Sequence, residues 1–310
     1  TNEVAFTTQP VLEIRDQDNN KVENSTATVT ITSSPSGIGG TTSMPAVAGV
    51  ADFIGKGVKL TGTKGAYTLT YASSPLGSDT QGITLLPGSA DHLFVHQSAA
   101  DAKSRATFGT QPIIEVRDIS NNAVPASGLT IHASVEAGPT LSGTTEIAVD
   151  ATSGRATFKN LKLQGLTSVG GYSVTYEATT GNLSSVSELL PLSAGAATQL
   201  SVSPTSFTAT SGVVFDTTPV VTVKDADGNP VLDSTHTVHV AILPTGATID
   251  GFADSRLNSG NGTTSFPSAK LTGTAKSYTL TYTTTGTSLA EATQTITLEA
   301  GAADHLTVVQ

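Results

Sequence analysis

The chain has no cysteine, no tryptophan and one methionine, and only 5% of its 310 residues are aromatic. The missing thiols exclude disulfides, thiolate zinc sites, iron–sulfur clusters and thiol nucleophiles together. Charge is scarce at 13%, and 25 acidic residues against 15 basic ones give a formal charge of −10. A surface of that sign does not neutralise a phosphate backbone, so nucleic acid is not expected as a partner. The apolar runs fall far short of the ~20 residues that span a bilayer as a helix, and no membrane span is expected. There is no basic stretch followed by an apolar one at the start, so any export signal has been removed or lies outside this sequence. Catalytic signatures are absent too: no Gly-x-Ser-x-Gly, His-Glu-x-x-His, phosphate loop or dinucleotide fingerprint occurs.

What is present is repetition. Phe6 to Val22 (FTTQPVLEIRDQDNNKV), Phe108 to Val124 (FGTQPIIEVRDISNNAV) and Phe215 to Val231 (FDTTPVVTVKDADGNPV) are copies of one segment, with prolines at Pro10, Pro112 and Pro219. A second signature follows in each copy: AYTLTY with Tyr67 and Tyr71, GYSVTY with Tyr172 and Tyr176, SYTLTY with Tyr278 and Tyr282. A third lies between copies, at Ile83 to Val95, Ser187 to Val202 and Ile296 to Val308. The small residues there interrupt the β pattern only briefly, which predicts short, stiff joints in place of flexible tethers. Three domains of about a hundred residues fit this spacing, with boundaries at 1–89, 90–197 and 198–302 and a residual segment 303–310.

Within each copy the apolar period is two. Val29 and Ile31 alternate with Thr, as do Tyr67, Leu69 and Tyr71, and no stretch reads as a helix of ten residues. Seven strands per copy are expected: A near Leu93, B near Ile14, C near Val29, a weak D near Met44, E near Phe53, F near Leu69 and G near Ile83. That number and spacing predict an all-β chain of tandem Greek-key sandwiches in a linear rod, held by apolar burial alone.

These features resemble the bacterial immunoglobulin-like repeats of the invasin and intimin type, tandem modules of very large surface proteins. The residues that carry the likeness are Thr217 to Val231, the Tyr-containing strand and the joint Pro87 to Phe94. The resemblance implies an extracellular, cell-surface location and a place among adhesin stalks, surface-layer components or filaments.

The richest polar cluster is the turn after strand B: Asp16, Asp18, Asn19 and Asn20; Asp118, Ser120, Asn121 and Asn122; Asp225, Asp227, Gly228 and Asn229. Oxygen ligands at alternate positions suit a hard cation, which makes Asp16, Asp18, Asp118, Asp225, Asp227 and Asn229 the candidate calcium ligands. The distant bidentate Glu of a calcium loop is missing. Asp and Asn also close turns on their own backbone and tolerate left-handed conformations, so the plain turn is the preferred reading and no cofactor is expected. His236 and His239, three apart on a strand, point to opposite faces, whereas His92 and His96 share one. His92 and His305 recur in the same joint context, where a polar edge residue suffices. Glu13 and Glu115 form no convincing glycosidase pair, because the third copy has Thr222 there. Tyr67, Tyr172 and Tyr278 stand where a tyrosine corner ties a loop. Asn24, Asn182 and Asn261 begin glycosylation triplets.

An enzyme is therefore not expected, and a sugar-binding module lacks aromatic platforms. The ends carry a sharper expectation. Aligning Phe6 on Phe108 leaves the first copy without an A strand, while Asp304, His305, Leu306, Thr307, Val308, Val309 and Gln310 match an A strand with no domain behind it. Each defect complements the other. A filament assembled head to tail by strand donation between copies is one reading, and a continuous array of neighbouring repeats is the other. The stalk of an adhesin or surface-layer protein, presenting a binding domain elsewhere, is the alternative function.

Overall fold

The structure, a computed structural model, describes residues 1–232, 234, 236–253, 255–256, 260–286 and 289–309. Gln310 lies outside the described residues. Strands joined by turns and irregular loops make up the described chain, with no α-helix among the described residues.

The buried hydrophobic residues fall into three separate clusters. The first is built around Phe53, Leu60 and Leu69, the second around Phe158, Leu163 and Tyr176, and the third around Phe266, Leu271 and Tyr282. In each, the period-two pattern does what strand geometry requires. Along Gly65–Ser73 the residues Tyr67, Leu69 and Tyr71 turn inward while Thr68 faces out. Full burial of one such side chain is worth roughly 1.5–3 kcal/mol, so a dozen or more per unit can hold a sandwich without a disulfide.

The second and third units share one topology. In the second, Ile113–Arg117 lies between Arg155–Thr157 and His92–Gln97, facing a five-stranded sheet in the order Ala102–Lys103, Val186–Ser193, Ser168–Ala178, Thr130–Val135, Glu146–Ala148. In the third, Val220–Asp225 lies between Ala197–Ser203 and Thr263–Ser265, facing the sheet Ser206–Thr210, Ala292–Glu299, Lys276–Thr284, Thr237–Leu243, Ser255–Arg256. Small ribbons such as Thr140–Ser142 with Lys162–Gln164 close one end. These ribbons exceed the seven strands expected per copy.

The expected single A strand is in fact two. His92–Gln97 runs antiparallel to Ile113–Arg117 in one sheet, and Ala102–Lys103 then crosses to pair in parallel with Val186–Ser193 in the other. The third unit switches in the same way, from Ala197–Ser203 to Ser206–Thr210. A break is built into each sequence at the switch: Pro204 has no amide to donate, and Asp101 sits at a left-handed φ of 55°.

The first unit lacks both halves of that strand. Among the described residues Val11–Glu13 pairs only with Val50–Asp52, and its other edge is open. Leu12 is consequently only half-buried, whereas its counterparts Ile114 and Val221 are sealed.

Candidate functional site: two joints, an open edge and a free end

The Asp/Asn turns fold identically in all three units. In the second, Asp118 Oδ1 accepts the amides of Ser120 at 3.0 Å and Asn122 at 2.8 Å, while Asn121 takes a left-handed φ of 63°. Asp16 receives Asp18 at 3.0 Å and Asn20 at 2.8 Å, and Asp225 receives Asp227 and Asn229, both at 2.9 Å. This is the turn chemistry expected of Asx residues.

The second carboxylate oxygen does something the turn does not need. Asp118 Oδ2 accepts the Gly88 amide at 2.7 Å and the Asn2 side-chain amide at 3.0 Å, both from the unit before it, as well as Asn122 Nδ2 at 2.9 Å. Asn122 completes the contact: its Oδ1 accepts the Lys64 amide at 2.7 Å and its Nδ2 donates to the Gly62 carbonyl at 2.9 Å. The next joint repeats the arrangement position by position. Asp225 Oδ2 accepts the Gly195 amide at 2.7 Å; Asn229 accepts the Thr167 amide and donates to the Gly165 carbonyl, both at 2.9 Å. Asp227 adds an ion pair with Arg105 at 2.7 Å and accepts the Ser104 hydroxyl at 2.6 Å. Burial pushes the carboxyls of Asp118 and Asp225 up, but the asparagine side chains and glycine amides outweigh it and hold both below the usual aspartate range. The Arg105 hydrogen bond likewise holds Asp227 down. At the second joint the close approach requires glycine, since a Cβ on Gly195 would lie 2.3 Å from the Ser104 carbonyl oxygen; at the first, a Cβ on Gly88 would lie a tight 3.1 Å from the Asn2 carbonyl oxygen.

In the first unit the same turn is fully formed but exposed, and among the described residues Asp16, Asp18 and Asn20 engage no other unit. The candidate calcium ligands thus separate into two joint clusters and one free turn. Among the described residues no group of three or more His, Asp or Glu side chains is placed to hold a metal ion, and the joint carboxylates already face N–H donors on both oxygens.

The histidines do not converge. His92 contacts Asp91 at 2.9 Å and Asn121 at 3.2 Å, whereas His96 lies 3.6 Å from Glu115. His236 bonds Ser234 at 2.8 Å, and His305 lies 3.4 Å from Asp304. Glu115 is buried between Arg117 and Arg155, each at 2.9 Å; burial pushes its carboxyl up, but the two guanidiniums outweigh it and keep it ionised. Glu13 sits in another unit beside Arg15. The tyrosine corners are in place: Tyr67 donates to the Thr63 carbonyl at 3.0 Å, Tyr172 to Leu166 and Tyr278 to Thr274, both at 2.9 Å. Asn24, Asn182 and Asn261 are all exposed.

Two roles escaped the sequence reading. Gln9 and Gln111, in the first segment, each accept a backbone amide across the unit, Val58 at 2.8 Å and Leu161 at 2.9 Å. Tyr282 donates to Gln294 at 2.6 Å, whose side-chain amide then holds the Pro204 carbonyl of the switching strand at 2.6 Å. In the first unit Tyr71 donates to Gln81 at 2.7 Å, but there Gln81 is exposed beside the vacant edge. That edge is a groove of about 620 Å³, lined by Phe6, Leu12, Leu69, Tyr71, Gln81 and Ile83 among others. The free segment Ala303 to Val309 is exposed throughout, including Leu306 and Val308.

Fold and joints together define a tandem array of immunoglobulin-like β-sandwiches. No family model and no curated protein matches the chain. Among solved structures, it is similar to invasin, a bacterial integrin-binding protein, at 15% identity over 94% of this chain and 56% of that one, with a TM-score of 0.34. It is also similar to the Escherichia coli adhesin FdeC, at 15% identity over 93% of this chain and 91% of that one, TM-score 0.34. A third is the surface-layer protein SbsC, domains 1–6, at 13% identity over 96% of this chain and 39% of that one, TM-score 0.31. The chain spans a little over half the invasin structure and less than half that of SbsC. No helix among the described residues is long and apolar enough to cross a membrane.

Proposed function

We propose that the chain is a non-enzymatic, extracellular structural protein of the cell surface: three immunoglobulin-like modules, bounded at 1–89, 90–197 and 198–302, joined in a stiff row and extended head to tail. The observation that carries this reading is the open edge of the first module together with an A-strand sequence, Ala303 to Val309, that pairs with no strand among the described residues. In the second module Leu93 pairs opposite Val116 and Val95 opposite Ile114. The same register sets Leu306 opposite Ile14 and Val308 opposite Leu12, where both would enter the groove while Thr307 faces out. Strand addition gives the unpaired backbone of Val11–Glu13 its missing ladder and removes two exposed apolar side chains from water. The buried carboxylates support a structural role, because Asp118 and Asp225 are bonded inside the joints and Glu115 inside an ion pair.

The test is sedimentation of the intact chain against one lacking Ala303 to Gln310. The intact chain forms head-to-tail oligomers that grow with concentration, and the truncated one does not. A synthetic peptide of those eight residues added to the truncated chain fills the groove and raises the melting temperature of the first module. Oligomers that survive truncation unchanged, together with a peptide that does not bind, would overturn strand addition.

A further inference from the structure

We propose that the Asp16–Asn20 turn is a docking plug whose socket is the free end of the third module of a second copy. This rests on the head-to-tail reading above and specifies the contact that would fix its angle and register.

The plug is preformed. Asp16 Oδ1 is saturated by the amides of Asp18 and Asn20, and Asn20 Nδ2 reaches Asp16 Oδ2 at 3.2 Å. The buried turns hold their Asn against their Asp in the same way, at 2.9 Å in both, and there the outer oxygen of the Asp and both ends of the Asn side chain bond the preceding module. In the first unit those outward positions face solvent.

The socket is preformed as well. Its internal versions consist of a glycine five residues before the leucine of the next A strand, and a Gly-x-x turn leading into the tyrosine strand. They are Gly88 with Gly62 and Lys64, then Gly195 with Gly165 and Thr167. At the end of the third unit the matching residues are Gly301, Gly273 and Ala275. Their local geometry agrees with the occupied joints. Ser211 Oγ donates to the Gly273 carbonyl at 3.1 Å and accepts the Gly273 amide at 3.1 Å, as Ser104 does with Gly165 at 3.2 and 3.1 Å. A Cβ on Gly301 would lie 2.9 Å from the Ser211 carbonyl oxygen, between the 2.3 Å of Gly195 to Ser104 and the 3.1 Å of Gly88 to Asn2 at the occupied joints. Gly301 and Ala275 are exposed, so their amides are available.

Superposing the pattern of the occupied joints assigns every contact of the new one. Asp16 Oδ2 accepts the Gly301 amide, Asn20 Oδ1 accepts the Ala275 amide, and Asn20 Nδ2 donates to the Gly273 carbonyl. The Ser211 hydroxyl turns from the Gly273 carbonyl to donate to Asp18, as the Ser104 hydroxyl favours Asp227 at 2.6 Å over the Gly165 carbonyl at 3.2 Å. A carboxylate that accepts a backbone amide away from water forms a charge-assisted hydrogen bond, the strong class, and the same contact has formed twice within this chain.

The experiment measures self-association of the full chain by sedimentation, for wild type, Asp16→Ala, Asn20→Ala and, on the opposite face, Ser211→Ala. Binding of the Ala303–Gln310 peptide to truncated versions of the same chains is read in parallel. Asp16→Ala and Asn20→Ala each weaken association at least tenfold, Ser211→Ala weakens it less, and peptide binding stays at the wild-type value, because the groove is separate from the plug. If Asp16→Ala perturbs the first module and loses the peptide, Asn20→Ala and Ser211→Ala carry the test. Association as tight as wild type in the plug variants overturns the plug while leaving strand addition standing. A wild-type chain that is monomeric at roughly millimolar concentration also overturns it, and peptide binding then decides whether the groove reading survives.

Discussion

Replacing Asp118 by alanine should open the first joint without unfolding either module beside it. Three N–H donors point at Asp118 Oδ2: the Gly88 amide, Asn2 Nδ2 and Asn122 Nδ2. Asn2 is 1% exposed and Asn122 4%, so neither side chain recovers its lost bond from water while the joint stays closed. Each stranded buried donor costs about 1–3 kcal/mol, and allowing for partial relaxation the closed joint should lose about 3–5 kcal/mol. Asp118→Asn offers little relief, because its NH2 either faces those same donors or, after rotating, turns on the Ser120 and Asn122 amides. The assay is amide hydrogen exchange of the full chain, which reports local opening where a single global unfolding energy is undefined for a multi-module protein. Exchange at Gly88 and Lys64 should accelerate at least a hundredfold, since about 3 kcal/mol is a little over two decades. Val174, deep in the second core, should keep its protection. Protection at Gly88 within threefold of wild type would refute the claim that this carboxylate holds the joint. Asp16→Ala is the control: it removes the same turn bonds but leaves Gly88 and Gly195 unaffected.

The joints should also loosen in acid. Asp118 and Asp225 are held below the ordinary value of 3.8, so their contribution is fully present above about pH 4 and is lost as pH falls through their lowered folded values; protection of Gly88 and Gly195, taken relative to an unstructured amide at the same pH, should fall over that range and stay constant from pH 5 to 7. Tyr282→Phe leaves the buried Gln294 oxygen without its donor and should destabilise the third module by about 1–3 kcal/mol, seen as a lower melting transition with the other two unchanged. A chelator should leave every melting transition in place, because the carboxylate oxygens at the joints bond N–H groups; a transition that falls by more than a few degrees in EDTA would place a cation where we read a turn.

The fold was open to reading because its signals are local. Alternation at Val29 and Ile31, or at Tyr67, Leu69 and Tyr71, fixes which face of a strand is buried, and repetition checks each assignment against two others. The split of the A strand was less visible, since only Pro204 marks it in one copy and the second copy carries an aspartate at the break. The joints were the least legible. Asp and Asn after a strand explain themselves fully as turn residues, so nothing in Asp118 or Asn122 alone announces that a second set of lone pairs and donors reaches into the preceding module. The available signal was positional. The Asp and Asn four residues apart recur in all three copies while the residues between them change from Gln-Asp-Asn to Ile-Ser-Asn to Ala-Asp-Gly. The turn uses the Asp carboxylate in every copy but only the backbone amide of the residue four positions on, so the recurring asparagine side chain was the surplus signal.

That division of labour has a physical consequence for how such an array grows. A joint made by apolar contact is non-directional, and two sandwiches so joined can roll against one another. One made of a carboxylate and a carboxamide, each bonded to backbone amides and carbonyls, has a single geometry that satisfies every partner, and a half-made version strands buried polar groups. Because the turn is closed by one carboxylate oxygen and the joint by the other, the turn forms without the joint, as the exposed Asp16 turn does, and little conformational entropy is lost when a joint closes on it. Gly195 acts in the same direction by letting its backbone approach that of Ser104 where a side chain would hold them apart. Successive modules joined in this way are therefore held in one orientation by a small set of directed hydrogen bonds.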